Sequence, residues 1–290
     1  MLRLTELKLP LDHPAEALPA AIAERLGLRE DALISWTIWR RANDARKKSA
    51  ILMVYTVDVD VADEAAVLAR LASDPRVQPR PDTSYRHPVT AQAGFSGPRP
   101  VVVGAGPCGM FVGLLLAEMG LRPFILDRGK VVRERTKDTW DLWRRGRLHP
   151  ESNVQFGEGG AGTFSDGKLY SQIKDPRFLT RKVLNEFVAA GAPDDILTQA
   201  HPHIGTFRLV SMAEAIRSKI EGLGGEYRWS TRVTDVEIER GADGHGRLRG
   251  LHLEDGSFLE TDHAVFAIGH SSRDTFAALQ ARGVFVEAKP

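Results

Sequence analysis

Apolar and polar residues alternate over residues 2–9, the period-two pattern of a strand with one buried face. Over 14–26 the spacing becomes Leu18, Ile22 and Leu26, which is helical, and Gly27 stops it. Residues 33–40 and 50–59 are rich in β-branched and aromatic side chains and predict two more strands. Residues 63–71 predict a short helix, and a further strand is expected near Val77. Residues 79–100 are rich in Pro, Gly and polar residues and read as a connection, with the linker proper at 93–99. The character then changes. Residues 100–103 (PVVV) are apolar without alternation, as in a parallel strand buried on both faces. A helix is expected over 107–119, ended by Gly120, and a second buried strand over 121–126. Helices are expected at 177–190 and 211–223. Short strands come next at 231–238, 248–253 and 258–260, with a turn at Asp255-Gly256, and a last buried strand at 263–268.

The first run, βαββα with a closing strand, predicts a small α+β domain of ferredoxin-like type over 1–92. The second predicts a Rossmann-like α/β domain over 100–290, incomplete and carrying an inserted segment at about 130–230. The basic run 40–48 (RRANDARKK) is expected to be a solvated hairpin tip rather than a grip for an anionic partner.

Composition removes several function classes. A net charge of +1 over 290 residues makes no case for a nucleic-acid partner or a polybasic membrane binder. The most apolar stretch, 101–117, is interrupted by four glycines and a proline, so strand, turn and helix explain it better than a membrane span. The single cysteine, Cys108, excludes an internal disulfide or dithiol relay and fits a reducing, cytoplasmic setting. It is expected to be a small packed residue.

The candidate chemistry starts at Gly104-Ala105-Gly106-Pro107-Cys108-Gly109, between a strand and a helix. In such a fingerprint Gly104 permits the tight turn, Gly106 lets the backbone approach a pyrophosphate, and Gly109 lets helix and strand pack closely. The helix start offers free N–H groups and positive dipole charge, and Pro107 suits a first-turn position. Asp127 stands about 20 residues on, where an acid can accept the ribose hydroxyls. Its neighbour Arg128 can accept a phosphate.

Features further along the chain favour FAD over NAD at this site. A second glycine cluster, 157–168 (GEGGAGTFSDGK), is expected to bring the backbone to the ribityl chain and isoalloxazine ring through Gly159, Gly160, Gly162 and Thr163. A β-meander from Thr231 replaces a crossover helix, as in two-dinucleotide flavoproteins. The return strand ending at Gly269 resembles the Ala-Thr-Gly strand of that superfamily, with Ile268 in place of threonine. The same analogy puts the Val233 backbone near the adenine.

The run 151–168, together with 44–48 (DARKK), 201–206 (HPHIGT) and 267–271 (AIGHS), resembles the uncharacterised FAD-dependent dehydrogenase family often labelled NAD(FAD)-utilising. The resemblance covers essentially the whole chain. It implies FAD and an oxidoreductase passing hydride between flavin N5 and an unknown substrate or NAD(P)H. Members of that family run well beyond position 290 into a last strand with a Gly-Asp element. A C-terminally truncated chain, with no closing helix and weak FAD retention alone, is therefore expected.

Other residues are also candidates for chemistry. Asp166 and Lys168 can orient a substrate or shuttle a proton, or bridge their own loop. His149 and His270 are candidates of the same kind. His201 and His203 lack a third ligand at a diagnostic spacing, so no metal is expected. Arg133, Arg135, Arg144, Arg145 and Arg147 can bind an anionic substrate or the flavin phosphates, or simply form an exposed helix face. Trp140 and Trp143 are expected to anchor the core. A non-catalytic dinucleotide-binding module and an RNA-associated flavoprotein are the alternatives to an enzyme.

Overall fold

The computed structural model describes residues 1–92, 96–242 and 245–288. Linker positions 93–95 and the last two residues lie outside them. In chain order the elements are β1 (Leu2–Pro10), α1 (Ala17–Leu26), β2 (Leu33–Asp44), β3 (Leu52–Val61), α2 (Glu64–Arg70), β4 (Val77–Pro79), β5 (Val101–Val103), α3 (Pro107–Glu118), β6 (Phe124–Leu126) and α4 (Val132–Arg145). They continue with α5 (Leu179–Ala189), α6 (Thr206–Gly222), β7 (Glu226–Arg228), β8 (Val233–Arg240), β9 (Gly246–Leu253), β10 (Phe258–Glu260), β11 (Ala264–Phe266) and α7 (Arg273–Ala281).

Two compact units result. The first joins Met1–Tyr85 to Lys168–Val188 and Ala192–His203, and the second holds Arg86–Gly167, Ala189–Gly191 and Ile204–Pro290. The division at residue 92 expected from sequence thus misses a return of the chain to its N-terminal sheet.

The first unit is an antiparallel sheet in the order β2-β3-β1-β4. Leu2, Leu4 and Leu7 join one core with Val57, Val59, Leu18, Ile22 and Leu26. Those leucines differ in parity, and a one-residue slip would turn Leu7 outward. The register shift between Leu4 and Leu7, with Glu6 at φ 55°, absorbs the extra residue and keeps all three on the core face. On the other face Arg3 and Asp58 stand opposite each other and pair at 2.7 and 3.0 Å, both buried. Phe178 and Arg181 pack there against Trp39. Backbone bonds from Arg41 N–H to Thr198 O and from Ala200 N–H to Arg41 O cover the β2 edge. Residues 40–44 belong to β2, so the hairpin tip is shorter than the basic run. Asp44 pairs there with Arg46 at 2.8 Å, a contact that lowers the Asp44 pKa to about 2.

The second unit is built on a parallel sheet, β11-β5-β6-β7. Val101, Val102 and Val103 are buried, as an all-apolar run in a doubly covered sheet requires. One side packs on α3, where a Cβ at Gly113 would stand 3.0 Å from Ile125. The other side packs on the antiparallel sheet β10-β9-β8, through Val233, Val236, Leu251 and Leu253, and on Leu279 of α7. Two elements were not expected from sequence: the strand β7 and the helix α7.

Candidate functional site

The β5 strand ends at Val103 and its exit is tied to both neighbours. Gly104 N–H donates to Leu126 O at 2.7 Å, and Ala267 N–H donates to Val103 O at 2.8 Å. Gly104 has φ 104°, and a Cβ there would lie 2.5 Å from Ala267 O. At Gly109 a Cβ would lie 1.7 Å from Gly104 O. Both glycines are therefore demanded by the protein's own backbone. Gly106 differs. Its φ of −70° suits any residue, and a Cβ would meet only Gly160 Cα at 3.8 Å. The first intrahelical bond of α3 runs from Met110 N–H to Gly106 O at 2.9 Å. The Cys108 and Gly109 amides precede it and are left at the helix start, with Pro107 at a position needing no N–H.

The second glycine cluster abuts the first. Gly159 N–H donates to Ala105 O at 2.9 Å, and a Cβ on Gly160 would crowd Pro107 Cδ at 3.0 Å and Gly106 Cα at 3.2 Å. Gly157, Gly159 and Gly160 all have positive φ, at 113°, 79° and 58°. Beneath them Arg135, fully buried, donates to the carbonyls of Asn153 (2.7 Å), Val154 (2.6 Å) and Glu158 (2.6 Å). Burial pulls its pKa down to about 10. Glu158, also buried, accepts from Val132 N–H at the start of α4 (2.7 Å) and from Arg217 (3.2 Å). Burial pushes its pKa up.

Together these loops form a cleft of about 510 Å³ at the carboxyl ends of β5, β6 and β11. The chain passes from β5 to β6 on one side and returns as β11 on the other, so the cleft sits at a topological switch point, where open α/β sheets bind ligands. Gly104, Gly106, Pro107, Asp127, Arg128, Gly160, Val233 and Gly269 line it. Gly109, Gly159 and Thr163 are buried in its walls, and Gly162 is exposed beside Pro107. Asp166 and Lys168 are not among the lining residues. Gln155 and Ser271, from the runs 151–168 and 267–271, and Thr231, at the start of the meander, also line the cleft, as does Arg232, which no motif in the sequence singled out.

Asp127 is buried and has both oxygens engaged, from Ala105 N–H at 2.7 Å and Gly129 N–H at 2.8 Å, so it clamps the first glycine loop to the end of β6. Burial raises its pKa. Arg128 is held by Glu151 at 2.7 Å and by Asp274, with Phe156 beneath it.

Three expectations are corrected. Cys108 is exposed and lines the cleft, because the first turn of α3 faces it. Trp140 and Trp143 are 46% and 54% exposed, packing edge-on to each other, with Trp143 edge-on to Phe164, since the buried side of α4 is Val132, Arg135 and Thr139. Arg135 leaves the exposed arginine face and joins the core. An arginine in register with Val132 and Thr139 at helical spacing was the available signal. Of the others, Arg133 pairs with Glu214, Arg145 with Asp141, and Arg144 lies over Trp140. His149 Nδ1 accepts from Ser152 N–H, and His201 packs against Tyr170 with ring centroids 4.6 Å apart and planes tilted by 50°. Among the described residues no helix is long and apolar enough to cross a membrane.

The model of a domain of unknown function, DUF8436, matches residues 1–60. An uncharacterised protein of Clostridium beijerinckii is 36% identical over 293 residues, which take in 99% of this chain and 52% of the relative. The chain therefore spans about half the length of that relative. Among solved structures, THI4 of Thermovibrio ammonificans is 18% identical, with 65% of this chain and 64% of that one covered and a TM-score of 0.43. L-proline dehydrogenase of P. horikoshii is 14% identical over 66% of this chain and 57% of its own, with a TM-score of 0.35. Glycine oxidase of Bacillus cereus is 13% identical over 65% and 60%, with a TM-score of 0.32.

Proposed function

We propose that this chain binds FAD in the switch-point cleft and belongs to a flavin-dependent oxidoreductase. The observation that carries the reading is Gly106. The protein's own packing leaves room for a side chain there, yet the residue is a glycine opening a helix, with Gly160 as its nearest neighbour across the gap. A ligand backbone-close at that point, such as a pyrophosphate, accounts for it. The cleft volume of about 510 Å³ lies within the range of about 300–1,000 Å³ usual for ligand sites.

In this reading the α3 first-turn amides and Gly106 hold the pyrophosphate. Asp127 uses lone pairs not taken by Ala105 and Gly129 to accept ribose hydroxyls. Val233 offers its backbone to the adenine. Gly160 brings the second loop against the cofactor, and Arg135 fixes that loop from below through three carbonyls. Arg128, already neutralised by Glu151 and Asp274, is poorly placed to take a 2′-phosphate, which supports FAD over NADP here. Bound flavin would supply hydride acceptance at N5. NAD(P)H is proposed as electron donor, a cytoplasmic setting as location, and the first unit, with strand order β2-β3-β1-β4, as ferredoxin-like.

A non-catalytic dinucleotide-binding module is the second reading, and the absence of Asp166 and Lys168 from the cleft lining favours it. Titration of the chain with FAD, followed by flavin fluorescence, tests the first claim, and failure to take up FAD would remove it. Anaerobic bleaching of the loaded protein by NADH or NADPH separates enzyme from module.

A further inference from the structure

The first unit has a cavity of its own, about 740 Å³, between β2 and the segment that returns to it. Its charged lining is lopsided: Arg40, Lys174, Arg177 and Arg181 against Asp175 alone. The Asp175 carboxylate is already committed as the cap of α5, accepting from Leu179 N–H at 3.0 Å and Thr180 N–H at 2.7 Å. Among the described residues none of the four cations has a carboxylate within ion-pair distance. By contrast Arg25, Arg29, Arg46 and Arg76 of the same unit each hold one.

Arg181 makes the imbalance costly. It is partly buried, and among the described residues its guanidinium donates to carbonyls, Leu197 O at 2.9 Å and Trp39 O at 3.4 Å. It lies over the Trp39 ring at 3.7 Å, and Arg3 lies over the same ring at 3.9 Å. The carboxylate near this pair is Asp58, which already takes Arg3 at 2.7 Å and Arg80 at 3.1 Å. Burial and the neighbouring Arg3 both pull the Arg181 pKa down. Arg177 has the Asp175 carboxylate within electrostatic reach, which leaves the lining with three cations in excess, and a half-buried cation facing such a cavity is stabilised by an anion entering it. Several guanidinium groups, with donors in a fixed fork, suit phosphate oxygens.

We propose that this cavity binds a multivalent phosphate ester of a small molecule, with Arg181 as its inner contact and Arg40, Lys174 and Arg177 around its mouth. All of these residues belong to the first unit, so the site is independent of the cleft and does not rest on the FAD reading.

The test is calorimetric titration of the full chain with inorganic pyrophosphate, in wild type, in the double variant Lys174→Ala/Arg177→Ala, and in Arg29→Ala as a control at another exposed arginine of the same unit. Lys174 and Arg177 are exposed, so the double variant is expected to keep its fold, which the unfolding midpoint and far-UV circular dichroism report without reference to the cleft. Any pyrophosphate taken up in the cleft is common to all three proteins, so the difference between isotherms belongs to this cavity. The expected result is a loss of about tenfold or more in affinity in the double variant, with the control unchanged. Arg181→Lys, which keeps the charge and loses the fork, is expected to weaken binding as well. No pyrophosphate binding by wild type, or an unchanged isotherm in the double variant, overturns the proposal. So does citrate binding as tightly as pyrophosphate, which would make the site one for carboxylates. Capture of single-stranded RNA that pyrophosphate cannot displace would assign the surface to nucleic acid instead.

Discussion

Alanine at Gly109 and alanine at Gly106, three residues apart, should fail in different ways. At Gly109 the new Cβ would stand 1.7 Å from Gly104 O. Ordinary contact needs about 3.4 Å, so the start of α3 and the β5 exit must separate by more than an ångström. Both sides are backbone, and no side chain can rotate away. Overpacking typically costs about 1–3 kcal/mol, and a rigid clash of this depth belongs at the upper end, about 3 kcal/mol. At Gly106 the Cβ meets only Gly160 Cα at 3.8 Å, at a φ any residue adopts. Alanine is a poorer helix cap than glycine, but it also lowers the entropy of the unfolded chain. The net change in stability should stay within about 0.5 kcal/mol. The methyl group would, however, occupy the space proposed for the pyrophosphate and displace it, costing about 2 kcal/mol of binding, or about thirtyfold in affinity. Urea unfolding midpoints and FAD titrations on the two variants measure both quantities. Gly109→Ala should lose stability and binding together, and Gly106→Ala should lose binding alone. If Gly106→Ala binds FAD like wild type, no ligand approaches that backbone and the site assignment is wrong. If Gly109→Ala is as stable as wild type, α3 does not pack on the β5 exit as closely as the geometry requires.

Arg135→Met leaves three carbonyls, two of them in buried hydrogen bonds, without their charged donor and should cost about 3–5 kcal/mol, with protease sensitivity appearing first around residues 151–160. Unchanged unfolding midpoints would refute its role as the support of the second loop. For Glu158 burial raises the folded pKa above its ordinary 4.5, so the native state holds that proton more tightly than the unfolded chain. Its contribution to stability is full below pH 4.5 and declines as pH rises through the folded pKa, and the stability difference between wild type and Glu158→Gln should move in that direction across the window; a flat difference would show that the carboxyl is not desolvated. Cys108 should react readily with iodoacetamide in the free protein and be protected by FAD, and equal labelling with and without FAD would place the cofactor elsewhere.

What the sequence made legible was whatever depends on burial period and on glycine. The alternation in β1 and β3, the valine run of β5 and the stop at Gly27 each reflect which side chains face a core. The glycine pattern located both loops of the cleft, since backbone contacts as close as that between Gly109 and Gly104 admit nothing larger. Other features gave no such signal. The β7 strand, Glu226-Tyr227-Arg228, is an edge strand held by main-chain pairing to β6, and its side chains are only half buried, so it has no apolar signature. The position of 168–203 depends on pairing with a sheet formed far earlier in the chain, which local periodicity does not encode. Arg135 looked like one more arginine on a basic helix, and its burial comes from carbonyls that a neighbouring loop turns toward it. Cys108 looked internal because the fingerprint around it is apolar, whereas the first turn of α3 faces open space.

The return of residues 168–203 to the first sheet sets a timetable for a chain made from its N-terminus. The four strands of that sheet are complete once Pro79 has been synthesised, but the cover for Arg3, Asp58 and Trp39 arrives only from Lys168 onward. At a synthesis rate of about 5–20 residues per second that is a wait of roughly 5–20 seconds. During it one face of a formed sheet, with a buried ion pair and an indole, stands bare. The strands of the second unit's parallel sheet are still being assembled around the same crossover, so neither unit can be finished before the other has begun. A fragment ending near residue 92 would hold the sheet permanently in that half-dressed state, and aggregation of such a piece would reflect its missing cover rather than any weakness in its own core.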